Sequence, residues 1–244
     1  MFCGAACILL LSLVAHASAH YIFPILKVNG RDTGVWEYVR KTNNWENEDF
    51  YPLRAYGSND MRCYNTEVPN HKALTYNVDI EDTLAFKVWA WNASDNIFHK
   101  SVSNVYMARV PEDTDIDDFS GDGKVWFKIH EISAELDSET GMLVFPSTGL
   151  TEVEFTLPRA LPEGKYLLRV EVIALHYVKR SGAEWYIGCA QIDVANPGGD
   201  GVPGPLVSFP GAYSGTEPGL LVEVSEPATE AYIQPGPALW PGNP

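Results

Sequence analysis

No stretch of this 244-residue chain is apolar for long enough to cross a bilayer. Its longest apolar run, residues 8–14, is far short of the ~20 residues a spanning helix needs. Basic residues are also scarce, 17 Lys and Arg against 32 Asp and Glu, for a formal charge of −15. Such a surface repels phosphate backbones and anionic membranes. Nucleic acid and membrane partners are therefore excluded, and a neutral polymer or a small molecule is the expected partner. No window shows a sustained 3.6-residue apolar period, which argues against a helix bundle. There is no Ser/Thr-rich linker, internal repeat or second C-terminal module, so a single domain is expected.

Cysteine is sparse, and its placement is informative. Cys3 and Cys7 fall in the first 19 residues, where the apolar run is followed by the small-residue pattern Ala17-Ser18-Ala19. That is the layout of a secretory signal peptide, although this one has no Lys or Arg ahead of the run. A second small-x-small pattern, Ala15-His16-Ala17, would instead leave Ser18 first. Cleavage after Ala19 makes His20 the first residue of a secreted protein spanning residues 20–244. It would then carry a free α-amine and an imidazole, two nitrogens able to close a chelate ring on one metal ion. The two remaining cysteines, Cys63 and Cys189, make an even pair in an oxidising compartment, most simply a disulfide. Asn92-Ala93-Ser94 is an N-glycosylation sequon, with Asn92 as the acceptor.

Period-2 alternation dominates the rest. Residues 84–91, 125–132, 153–157 and 166–176 read as strands, bounded by turn signals such as Glu163-Gly164 and Ser181-Gly182. Many short strands with irregular loops predict an all-β fold, an immunoglobulin-like or fibronectin III-like antiparallel β-sandwich. From about residue 196 Pro and Gly become dense, and an extended segment wrapping the sandwich is expected there. On the 166–176 strand, His176 continues an apolar row to its end. On the segment from Glu184, Glu184 and Tyr186 share one face about 7 Å apart, and Cys189 falls on the other. A hydrogen-bonded pair of His176 and Glu184 at the edge of the core would account for the same pattern.

The chain resembles one family in the order of its motifs. These begin with His20-Tyr21-Ile22-Phe23 and Val28-Asn29-Gly30, followed by Arg62-Cys63-Tyr64-Asn65 and His99-Lys100-Ser101. Further along come Gly121-Asp122-Gly123-Lys124-Val125-Trp126, the stretch from Tyr166 to His176, Glu184-Trp185-Tyr186, Cys189-Ala190-Gln191-Ile192 and Pro210-Gly211-Ala212-Tyr213. Together they are similar to the fungal copper-dependent lytic polysaccharide monooxygenases of the auxiliary-activity 9 type, formerly glycoside hydrolase 61. The resemblance implies one copper ion on the α-amine and Nδ1 of His20 and Nε2 of His99, with the Tyr186 phenol in a distant axial position. Amine and imidazole nitrogens suit Cu(II), which lies at the top of the divalent affinity order. They bind only when deprotonated, so affinity should fall with pH.

The resemblance further implies that His176 and Glu184 border the open copper face. At the second of these positions most members carry Gln, and related bacterial families carry Glu in a similar place. A carboxylate only accepts hydrogen bonds, so Glu184 would have to be protonated or supported by a donor such as His176. The implied reaction uses an external electron donor and O2 or H2O2, and removes hydrogen from C1 or C4 of a β-1,4-linked glucan such as cellulose. Tyr213 is the first choice for stacking on sugar rings, followed by Tyr21 and Trp45. His71 and His130 read as loop histidines without a ligand role. A monomer is expected. Two other readings stay open: a secreted copper-binding protein without turnover, and a glycoside hydrolase, which would need two carboxylates flanking a cleft.

Overall fold

The computed structural model describes residues 20–46, 49–68, 72–90 and 94–241. The expected signal segment 1–19, the sequon asparagine Asn92 and His71 lie outside the described residues. Branched and aromatic side chains pack well on a pleated surface, and the segments rich in them form the strands. In chain order these are β1 (Tyr21–Val28), β2 (Arg31–Asp32), β3 (Tyr76–Asp79), β4 (Thr83–Ala90), β5 (Ser101–Arg109), β6 (Trp126–Ile132), β7 (Glu135–Leu136), β8 (Leu143–Val144), β9 (Glu152–Thr156), β10 (Gly164–Ala174) and β11 (Glu184–Ala195). One short helix, α1 (Val178–Ser181), lies between the last two strands.

The strands make two main sheets. An antiparallel sheet runs β2-β1-β4-β9, and a five-stranded sheet runs β3-β11-β10-β5-β6, with β3 parallel to β11 and the other pairs antiparallel. Phe23, Leu26, Phe86 and Val153 of the first sheet share one core with Val105, Met107, Leu168, Val170 and Ile192 of the second. This is the antiparallel β-sandwich anticipated from the alternation.

The larger sheet is buried on its other face too. Val102, Tyr106, Leu167, Ile173, Trp185 and Ile187 point away from the sandwich core and join Phe209, Leu220 and Val224 in a second core. The segment after β11 supplies that cover without a strand of its own. Val207 exchanges backbone hydrogen bonds of 2.8 and 3.1 Å with Trp126, and the Trp240 amide donates to the Lys128 carbonyl. Cys63 and Cys189 are joined in a disulfide across this layer, closing a separation of 126 residues.

Two local readings are corrected. The strand containing the His176 row ends at Ala174; the Leu175 amide still donates to the Lys100 carbonyl opposite it at 2.9 Å, and the chain then turns into α1. His176 therefore stands in the turn beyond the strand. His130 lies within β6, and burial lowers its basicity.

Candidate metal centre

Strand register explains why distant residues meet. Ala174 pairs with Ser101 on one side and with Glu184 on the other, so the start of β5, the end of β10 and the start of β11 lie in one row. His99 stands two residues ahead of β5, His176 two residues beyond the end of β10, and Glu184 in the row itself. Tyr186, two residues along β11, stacks on Tyr21 with ring centroids 4.0 Å apart. That stack brings the first residue of the described chain, His20, to the same end of the sandwich.

Five side chains from four segments converge there. The imidazoles of His99 and His176 lie face to face, with centroids 3.6 Å apart and planes inclined by 5°. The His20 ring is 6.4 Å from that of His99 and 6.3 Å from that of Tyr186. Ligand atoms of His99, His176 and Glu184 lie within 4.8 Å of one another. His99 Nε2, His176 Nδ1, Glu184 Oε2 and the Tyr186 hydroxyl are all buried without a hydrogen-bond partner. Buried polar atoms are rarely left unpaired, so a cluster of them calls for a ligand.

A metal ion fits this donor set. Metal–imidazole bonds are about 2 Å long, so two rings opposed across one ion have centroids about 6 Å apart once the ring radii are added. The spacing of His20 and His99 matches that figure. The tighter group of His99, His176 and Glu184 is an alternative donor set on distance alone, but its two imidazoles are stacked and cannot both point a lone pair at one ion.

The electrostatics favour unprotonated nitrogen. Burial, reinforced by His176 and His20 nearby, pushes the His99 imidazole down to about 4. A histidine whose pKa is lower in the folded chain than its usual ~6.5 binds fewer protons when folded, so metal-free stability falls as pH drops from about 7 towards 4. NMR titration of the metal-free protein should find one imidazole with a midpoint near pH 4. If every histidine titrated near 6.5, this account of the site's polarity would be wrong.

Glu184 has a partner that no motif pointed to. Its side chain is 2% exposed and forms an ion pair with Arg54, whose Nη2 and Nε both donate to Oε1, the latter at 3.1 Å. Oε2 stands 3.8 Å from His176 Nε2, too far for a hydrogen bond. The carboxylate is supported by a guanidinium, where the sequence suggested protonation or His176 as donor. Among the described residues the cluster holds one carboxylate, already paired, so the two-carboxylate requirement of a hydrolase is not met by them there.

The expected sugar-stacking residues are corrected as well. Tyr213 is 4% exposed, and its hydroxyl contacts that of Tyr106 at 2.8 Å and the carboxylate of Glu171. Tyr21 is 1% exposed beneath Tyr186. Each ring finds a buried partner and has no free face. Trp45 is half-buried, edge-on to Trp36, with the Lys41 ammonium 3.6 Å from its ring centre. The exposed aromatics at the site are others. Tyr51 lies 5.4 Å from His20, Phe98 5.4 Å from His99 and Tyr177 4.1 Å from His176. Their signal in the sequence was adjacency: Phe98 and Tyr177 each flank a site histidine.

Residues 20–232 match the profile of Auxiliary Activity family 9 (formerly GH61). The chain is 46% identical over 235 residues to AA9 family lytic polysaccharide monooxygenase H of Malbranchea cinnamomea, covering 96% of this chain and 97% of that one. It is 43% identical over 234 residues to AA9 family lytic polysaccharide monooxygenase C of Emericella nidulans, covering 95% and 96%. Among solved structures it resembles CvAA9A, with a TM-score of 0.72, 26% identity and coverage of 91% and 98%. It shares the fold of a cellulose-active polysaccharide monooxygenase from M. thermophila, with a TM-score of 0.68, 24% identity and coverage of 92% and 100%.

Proposed function

The chain belongs to Auxiliary Activity family 9 and is an oxidoreductase; on that premise we propose that it is a secreted, copper-dependent monooxygenase that cleaves β-1,4-glucan of the cellulose type. The reading rests above all on the convergence of His20 with His99, whose buried Nε2 has no protein partner. Copper would be held by the α-amine and Nδ1 of His20 and by Nε2 of His99, with the Tyr186 hydroxyl beside it. Removal of residues 1–19 supplies the amine, and the family match begins at residue 20. Bound copper supplies one-electron chemistry with O2 or H2O2 once an external donor has reduced it, and the outcome is hydroxylation at C1 or C4 followed by scission.

The chain's own residues give that chemistry its setting. Burial keeps His99 free of a proton at mildly acidic pH. His176 and Glu184 border the group, one as an imidazole able to donate or accept, the other as an acceptor fixed by Arg54. The Tyr186 phenol is pushed well up by burial and by Tyr21 and Glu184, so it stays protonated.

Tyr51, Phe98 and Tyr177 present exposed rings around the histidines, and we assign sugar contact to them. Truncating Tyr51 or Tyr177 to Ala should weaken binding to cellulose about five-fold, roughly 1 kcal/mol for an exposed aromatic anchor. Pull-down isotherms on the copper-loaded variants measure this, and unchanged binding would remove those rings from the substrate face. The activity itself is tested by incubating copper-loaded mature protein with ascorbate and several glucans, then mass-analysing the soluble products. Oligosaccharides carrying oxidised ends are expected. Copper binding without oxidised products would instead describe a copper carrier, and unoxidised reducing ends formed in the presence of a chelator would describe a hydrolase.

A further inference from the structure

Arg54 lies in a loop with no regular structure, yet its position is set by β11. Leu53 and Trp185 exchange two backbone hydrogen bonds of 2.9 and 2.8 Å, an isolated antiparallel bridge on the free edge of that strand. In antiparallel pairing the residue after Leu53 falls opposite the residue before Trp185, so the bridge delivers Arg54 to Glu184. Both Nε and Nη2 of the guanidinium then engage one carboxylate oxygen, Oε1. The other oxygen, Oε2, is buried, free of hydrogen bonds and turned towards His176.

We propose that Arg54 is a positioning residue of the metal centre, fixing Glu184 so that Oε2 faces His176 beside the His99 ring. The proposal rests on the reading of this cluster as a copper site. A buried carboxylate is tolerated only when paired, and removing one partner of such a pair leaves an uncompensated charge. Arg54 is the guanidinium that pairs with it, and its own side chain is 53% exposed. Its reach to the carboxylate is therefore independent of the main core, and it can be altered without opening a cavity. Without it, Glu184 loses both the counter-charge and the fork that chooses which oxygen points inward. His176, stacked on His99, then loses the fixed negative charge that faces its Nε2 at 3.8 Å.

The test is a two-by-two set: wild type, Arg54→Met, Glu184→Gln and the double variant, with Arg54→Lys as a fifth protein. Each is loaded with Cu(II) and examined by electron paramagnetic resonance, and the metal-free forms are melted. With Glu184 in place, Arg54→Met should change the copper hyperfine pattern and lower the metal-free Tm by about 5 °C. Added to the Glu184→Gln variant, where an amide needs no counter-charge, the same substitution should change neither. Arg54→Lys should recover part of the Tm while keeping an altered spectrum, since an ammonium supplies charge without the fork. An Arg54→Met spectrum identical to wild type, or an equal change in both backgrounds, overturns the positioning role. A wild-type protein with no nitrogen-coordinated Cu(II) signal overturns the copper reading itself, which is a different failure.

Discussion

Replacing His20 by Ala should abolish copper-dependent release of oxidised oligosaccharides and weaken copper binding by more than about 100-fold, and leaving one extra residue ahead of it should abolish that release. The magnitude follows from what each change removes. Substitutions of groups that merely orient a ligand already cost about 10–100-fold in metal affinity. His20 would supply two of the three nitrogens, joined in one chelate ring, so its loss removes two bonds and the ring closure together. An added N-terminal residue is the sharper of the two tests. It preserves the imidazole, the Tyr21–Tyr186 stack and the whole core, and converts the His20 amine into an amide, which offers a nitrogen only after losing its proton and so cannot reproduce the original chelate. Calorimetric titration with Cu(II) reads the affinity, and product mass analysis reads the turnover. Equal release of oxidised oligosaccharides by the extended protein would sink the assignment of the amine as a ligand.

The parts of this molecule that were legible in its sequence are those written in local pattern. Alternation in β4, β6, β9 and β10 needs only neighbouring residues, and the structure places strands at all four. The pairing of Cys63 with Cys189 followed from counting, because two cysteines admit one bridge. The losses have a common cause. Alternation shows two faces but not that both are covered, and β5, β10 and β11 are buried on both sides. Tyr213 was expected at the surface from the family resemblance, and no local pattern spoke against it. Tyr213 is buried because its hydroxyl reaches Glu171, a carboxylate hidden in the second core. The Arg54–Glu184 pair spans 130 residues and depends on one bridge between a loop and a strand edge. No periodicity records such a contact. Of the site, the histidines and Glu184 were visible as motif residues, whereas Phe98 and Tyr177 were marked only by their adjacency to a histidine, and Tyr51 by nothing local.

Breaking the buried pair of Arg169 and Glu171 should be the most damaging single change to stability, costing about 3–5 kcal/mol. Both residues lie on β10, two apart, on the face that looks away from the sandwich core, and both side chains are fully buried. Arg169 donates to Glu171 Oε2 at 2.7 Å and to the carbonyls of Met61 and Arg62 at 3.0 and 2.8 Å, and it lies 4.0 Å over the ring of Phe209. Glu171 Oε1 accepts from Asn104 Nδ2 at 2.9 Å and contacts the Tyr213 hydroxyl. Asn104 continues the network by accepting from Gln234 Nε2 at 2.8 Å, and Lys128 reaches the Pro235 carbonyl at 3.3 Å. The pair thus ties three things together: the segment beside the disulfide, the 209–213 loop and the C-terminal cover. Burial, followed by the Glu171 charge, pushes the Tyr213 phenol well up, so it remains a donor. Glu171→Ala leaves a buried guanidinium without its anion and frees two donors at once. Its urea midpoint should fall with the m-value unchanged if the cover stays docked, whereas a changed m-value would mean that the cover has come away. The double variant Arg169→Met with Glu171→Leu should lose less than the two single changes combined, because apolar groups of similar volume leave no charge exposed to a dry interior. A Glu171→Ala protein within about 1 kcal/mol of wild type would mean that water or a rearranged tail already satisfies Arg169, and that the second core is held by apolar packing alone.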